Sequence, residues 1–481
     1  MAADMCPGAA FHCSRGSSSS NFVHGNHDTT MLFPTTQELL STLGDDAGRT
    51  AYIAADGRLE QLRTLLSDSA TDRATAAQTA HIVAEVAKSE STRKTLQEAG
   101  LFVVLVARLG SCSAAIAANT ADAEANNLAV QTLRALANMC YDNEDNRDAL
   151  LEIDNSIKYV TECLDSNDFN LLKITSGALL NISMDNESVQ SRVLECNGAQ
   201  RMLRAISLAT NEETREKYGS LAAHLINTLS NLLEIEKGIT DFLSTKPDGL
   251  SVLCNVIKTH HSTITRPSVT QDAFIEALEC LEPTVTCLEA LGENDSVQHI
   301  IVKDGHMNTL LDFVDHRPTF ALPPLDTDDD EPPSYEDIRK RISRIVTLVT
   351  MNDKNMTDIP KHADVMNRFK SWMTLGLHTG KEQEEDEIRM SGALCIGNLA
   401  RSDKSCSVLM SQYGIALSLL QLLNLEVERV KVGTAVITEG EGGAKAVNEI
   451  RSCVKVIHAV VGAFKNLSIA GNAFFVRILL E

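Results

Sequence analysis

The sequence predicts an all-α protein, built as a stack of short helical repeats and not as one globule. Three observations predict it. Apolar residues recur at helical spacing along nearly the whole chain. One helix-ending signature returns eight times, at steps running from 43 residues (Asn138 to Asn181) to 68 (Asn398 to Asn466). Finally, 481 residues exceed the roughly 250–300 that a single core sustains, and the 43% hydrophobic content includes only 4% aromatics. An interior of Ala, Leu, Ile and Val suits close helix–helix contact better than a β-sandwich.

Residues 1–34 carry a serine run and no periodicity, and are expected to be a disordered tail. His12, His24 and His27, with Cys6 and Cys13, match no closed zinc spacing. Residues 35–70 read as N-terminal capping helices, because the first member of a stack needs a polar outer face. The repeat array then fills 71–481 in about eight units.

The unit is clearest over 388–423, IRMSGALCIGNLARSDKSCSVLMSQYGIALSLLQLL. Met390, Ala393, Leu394, Ile396, Gly397, Leu399 and Ala400 trace one helical stripe. The polar break from Ser402 to Ser405 supplies acceptors for the free N–H groups of a second helix. That helix closes at Gly414, and a third run follows from Ile415. None of the three could bury its apolar stripe alone.

Aligned on the helix-ending position, the units show Glu85, Asn138, Asn181, Asn231, Glu289, Thr347, Asn398 and Asn466. Turn glycines are expected at Gly100, Gly198, Gly305 and Gly414. Two insertions stretch the spacing. One is the acidic, Pro-rich segment 326–337, and the other a glycine-punctuated loop at 427–448. The run NAFFVRILLE reads as the first helix of an incomplete last unit, so the chain is expected to be a fragment of a longer stack.

Sixty-five acidic against 43 basic residues give a net charge of −22. A field of that sign repels phosphate backbones and attracts cationic partners, so no nucleic acid is expected. Twelve cysteines without C-x-x-C pairs point to free thiols in a reducing, cytoplasmic setting. The longest unbroken apolar run, 101–107, is far below the roughly 20 residues of a membrane span, and no membrane insertion is expected.

No catalytic constellation is present. The glycine-rich run 440–445 lacks the spacing and the hydroxyl of a phosphate-binding loop. His260 and His261 read as part of a polar linker. Cys280 and Cys287, two turns apart, read as small packing residues. We therefore expect no enzyme active site, no metal and no cofactor. The candidate site is the amide row itself. An amide at a helix end can both donate to and accept from an extended peptide backbone, although it can equally bond a neighbouring repeat and fix only the stacking. Carboxylates cluster just past the row, at Asp142, Glu144 and Asp145, at Asp185 and Glu187, and at Glu234 and Glu236. Each favours the positive end of the next helix, and stacking would align them as one acidic strip.

A three-helix unit with Asn near the end of its last helix resembles the armadillo repeat, which implies a right-handed superhelical solenoid with its third helices lining a groove. The match goes further. LCIGNLARSDKSC at 394–406 is similar to the small-G-protein GDP-dissociation stimulators, the armadillo exchange factors for Rho- and Rap-type GTPases. LGENDSVQHIIVKDG at 291–305, VTLVTMNDKNM at 346–356, FKSWM at 369–373 and AFKNLSIAGNA at 463–473 follow the same family in the same order.

The resemblance implies an exchange factor and chaperone for small GTPases with polybasic, prenylated C-terminal tails. It implies partner contacts at Asn398 and Arg401, where the family run resembles N-F-A-R-N. Ser402 stands here for the last member. Asn138, Asn181, Asn231, Glu289 and Asn466 complete the expected partner-binding set. The alternative is a non-catalytic armadillo scaffold or adaptor for basic peptides. Its import-adaptor version needs a repeated tryptophan, and this chain has only Trp372.

Overall fold

The computed structural model describes residues 41–119, 121–244, 248–318, 334–376, 385–438 and 443–469. The expected tail 1–34 and most of the acidic insertion at 326–337 lie outside these. Every regular element among the described residues is helical.

Eight helices form the spine: α1 (Arg73–Val86), α2 (Ala123–Cys140), α3 (Phe169–Ser183), α4 (Ala222–Leu233), α5 (Gln271–Gly292), α6 (Tyr335–Met351), α7 (Asp386–Leu399) and α8 (Gly443–Ile469). Each packs directly on the next, so they make one continuous ladder. Between consecutive members the chain forms a short helix and then a second one, as in Glu90–Glu98 with Leu101–Ala118 or Asp403–Ser411 with Ile415–Thr438. Asp46–Ala54 and Arg58–Ser67 precede the ladder, inside the span expected to cap it. The architecture is the all-α solenoid of armadillo-type units that the periodicity predicts.

Local chemistry explains where these helices start. The side chains of Asp72, Asp122 and Asp168 accept the free N–H groups that open α1, α2 and α3. Asn143, Asn186, Asn294, Asn352 and Ser402 cap the short helices in the same way. The reversal between short and second helix needs a left-handed residue. Gly100, Gly305 and Gly414 provide it as expected, at φ +75°, +82° and +62°. In the unit containing Gly198 the left-handed residue is Asn197, and Asn155 does the same one unit earlier. Gly198 instead opens the next helix, where a Cβ would meet the Val193 carbonyl oxygen at 2.8 Å.

A single aliphatic core runs the length of the array, from Leu43 to Leu467. Leu133 and Leu136 of α2 and Ile396 and Leu399 of α7 are fully buried within it. Such burial stabilises each unit by about 25 cal/mol per Å² of apolar surface, and only because its neighbours cover it.

Three expectations differ from the structure. The stretch 427–448 is no loop over most of its described length, because one helix runs on to Thr438 and α8 begins at Gly443. His260 and His261 sit in the helix Gly249–Ile264, not in a linker, and burial pushes His260 down to about 4. The apolar run at 101–107 extends into the helix Leu101–Ala118. By length and composition that helix could cross a membrane, yet Leu101, Leu105, Leu109 and Ile116 anchor it in the core. Cys280 and Cys287 are buried packing residues as expected, their thiols pushed up to about 12 by desolvation.

Candidate functional site

The ends of α1–α8 lie side by side, so the row residues of neighbouring units come within reach of one another. Three of the amides turn toward the preceding unit. Asn138 Nδ2 donates to the carbonyl of Ala84 at 2.9 Å, and Asn466 Nδ2 to that of Gly397 at 2.9 Å. Asn398 Nδ2 donates to the Thr347 carbonyl at 3.2 Å and to Thr350 Oγ1 at 3.1 Å. These bonds tie the end of each of these ladder helices to the last turn of the helix before it. Asn181 and Asn231 differ. Both are half-buried, and neither side chain has a hydrogen-bond partner among the described residues.

The carboxylates in the row are also engaged. Glu85 takes Arg134 Nη2 at 2.9 Å and Lys88 Nζ at 2.7 Å. Burial alone would raise its carboxyl, but these cations together hold it below the usual range. Glu289 is gripped by Arg341 through Nη2 at 2.6 Å and Nε at 3.1 Å. In each case the arginine comes from the next ladder helix, a pairing that only stacking creates.

The corner beyond the row behaves differently. Asp142, Glu144, Asp145, Asp185, Glu187, Glu234 and Glu236 are all exposed, and none forms an ion pair among the described residues. Asp142 and Asp185 hold left-handed backbones at φ +46° and +49°, repeating one corner geometry in adjacent units. Partial burial, reinforced by the charge of Asp185, raises the Glu234 carboxyl. The result is an acidic edge along α2–α4 whose carboxylates form no direct ion pair among the described residues, beside the two free amides of Asn181 and Asn231.

At the other end of the array, Arg401 is exposed and tied to its neighbours. Its Nε donates to the Asn398 carbonyl at 2.7 Å, Nη1 lies 3.1 Å from Asp353, and Nη2 donates to the Met351 carbonyl. Ser402 Oγ accepts from Ser405 N at 3.2 Å, which makes it the cap of its helix.

The BEM4 N-terminal domain family matches residues 59–300, half of the chain. The chain belongs to the BEM4-like family. The Rap1 GTPase-GDP dissociation stimulator 1-A of Xenopus laevis is 25% identical over 440 residues, 90% of this chain and 60% of that protein. The GTPase-GDP dissociation stimulator vimar of Drosophila melanogaster is 22% identical over 397 residues, 81% of this chain and 52% of its own length. The chain thus spans about 60% or less of these relatives. Among solved structures, a designed armadillo repeat protein aligns with a TM-score of 0.40 at 14% identity, covering 60% of this chain and 99% of its own.

Two features of this BEM4-like chain escaped the sequence reading. The first is a buried polar ladder on the short helices. Asn146 Nδ2 donates to the Met139 carbonyl, Gln190 Nε2 to Ser183, Gln298 Nε2 to Gly292 and Asn355 Nδ2 to Val349, at 2.7–3.1 Å. Their signal was present, since each lies three or four residues after the capping asparagines 143, 186, 294 and 352. The second is a set of ion pairs linking α6 to the start of α7, and α7 to the helix Ile415–Thr438. Arg389 Nε lies 3.1 Å from Glu426, Arg429 Nη1 lies 2.6 Å from Asp386 and 2.7 Å from Glu426, and Arg339 Nη1 lies 3.0 Å from Glu385. Arg389 and Glu426 are fully buried. No spacing rule could have paired them, because Arg389 and Glu426 come from different helices 37 residues apart.

Proposed function

We propose that the chain is a guanine-nucleotide exchange factor and chaperone for small GTPases of the Rho/Rap type, acting in the cytoplasm without an active site of its own. The observation that carries this reading is the unpaired acidic edge of α2–α4 beside the free amides of Asn181 and Asn231. Such an edge suits a polybasic tail, with the amides holding its backbone and the carboxylates its lysines and arginines. The names of the relatives, GTPase-GDP dissociation stimulators, support the same class of partner.

Exchange by this route needs no acid–base pair. A protein that binds the nucleotide-free GTPase more tightly than the loaded form loosens the nucleotide by the same factor. About 1.4 kcal/mol of differential binding gives a tenfold change. A prenyl chain on the tail would add about 0.8 kcal/mol for each CH₂ removed from water. Asn398 and Arg401, at the end of α7, are proposed to contact the body of the GTPase.

Release of fluorescent GDP from a Rho-type GTPase tests the reading, together with binding of its tail peptide at two salt concentrations. Acceleration is expected, and D142N/D185N/E234Q should weaken tail binding about tenfold at low salt and less at high salt. No acceleration and no tail binding would end the proposal. Tail binding without any acceleration would favour the scaffold that binds basic peptides.

A further inference from the structure

We propose that Asp248, Asp304 and His306 form a divalent-metal site that takes Zn²⁺ and clamps two successive units together. The ligand atoms of the three side chains all lie within 4.8 Å of one another. They reach that point from three separate elements. Asp248 precedes the helix Gly249–Ile264, Asp304 closes the helix Asp295–Lys303, and His306 opens the helix His306–Asp315 after the left-handed Gly305. His306 Nε2 stands 4.0 Å from Asp248 Oδ2 and 3.2 Å from Ser251 Oγ, and its ring is only 14% exposed. The ring is therefore held in place. Both carboxylates are exposed, and that of Asp248 is already oriented by Leu250 N at 3.3 Å and Ser251 Oγ at 2.6 Å.

Two carboxylates face this single imidazole, and no arginine or lysine pairs with either among the described residues. A bound dication would supply the missing positive charge. Zinc binds such oxygen and nitrogen donors at about 2.0–2.2 Å, so closing on the ion requires the carboxylates to move by about 1 Å. One imidazole among oxygens selects Zn²⁺ or Mn²⁺ over Mg²⁺ or Ca²⁺. Water would fill the fourth position, with Ser251 Oγ left to hold Asp248 Oδ2. The site uses none of the residues of the acidic edge of α2–α4 and does not depend on the proposed GTPase reading.

Calorimetric titration of the full chain with Zn²⁺, in parallel with thermal unfolding, tests this. One equivalent should bind and raise the melting temperature. Both H306A and D304N, folded by circular dichroism, should weaken binding at least tenfold and abolish the thermal shift. Absence of binding by the parent chain overturns the proposal. So does binding of equal strength in both variants, because the ion would then sit elsewhere, for example on a cysteine thiol.

Discussion

At the scale of single residues, amides of one type serve opposite ends. Asn355 is fully buried, and its Nδ2 serves both the Val349 carbonyl at 3.0 Å and the Gln298 carbonyl at 2.8 Å. Asn355→Ala leaves two dry carbonyls short of a donor and should cost about 2 kcal/mol in urea unfolding. Asn181→Ala removes no protein hydrogen bond, so its effect on stability should stay within about 0.5 kcal/mol while tail binding weakens. The row itself was legible as a repeated Asn. Whether a given amide bonds the next unit or stays free was not, because that depends on how each pair of units is set. His260 gives a pH prediction. Burial, with Arg215 adding to it, holds its folded-state value near 4, below the ordinary 6.5. The neutral form is favoured in the fold, so this contribution is intact above pH 6.5 and is lost as the pH falls toward 4. His260→Gln should flatten that part of the stability profile measured by urea unfolding at stepped pH.

Individual helices were legible from periodicity and caps, with one instructive failure. The segment 427–448 holds Gly433, Gly440, Gly442 and Gly443 and several β-branched residues, all weak helix formers. The helix nevertheless continues to Thr438, because packing against α8 outweighs local propensity. Gly433 there contributes closeness rather than a turn, since a Cβ on it would meet Ile450 Cγ1 at 2.9 Å. Gly110 is the sharper case. A Cβ would fall 2.7 Å from the Tyr159 ring of the next unit. Gly110→Ala should therefore destabilise by about 1–3 kcal/mol despite its better helix propensity. A rise in denaturation midpoint would show that the Tyr159 ring moves aside freely.

Over the whole molecule, stability is expected to sum over units and the contacts between neighbours, so local damage need not unfold the far end. The ionic cluster joining α7 to the helix Ile415–Thr438 is where such damage should be greatest. Arg389→Met leaves the buried Glu426 and Asp386 with Arg429 as their remaining cation, and should cost about 3–5 kcal/mol. Hydrogen exchange should then show protection lost from α7 and α8 while α1–α4 keep theirs. The double variant R389M/E426L should recover part of the loss, since it removes both members of a desolvated pair. The net charge of −22 belongs to the chain as a whole, yet its effect on partners is local. Arginines from adjacent helices neutralise Glu85 and Glu289, whereas the carboxylates along α2–α4 form no direct ion pair among the described residues.

By itself the sequence determined that this chain is a stack of three-helix units, where most of its helices begin, and that it resembles the GDP-dissociation stimulators. Those properties rest on short-range signals, on apolar period, on capping side chains and on runs of matching residues, all of which lie along the chain. Only the tertiary structure decided which amides remain free, which carboxylates are neutralised, and that Asp248 meets His306. Those pairings join residues about 50 positions apart, and one unit's orientation on the next sets them, which no local pattern encodes.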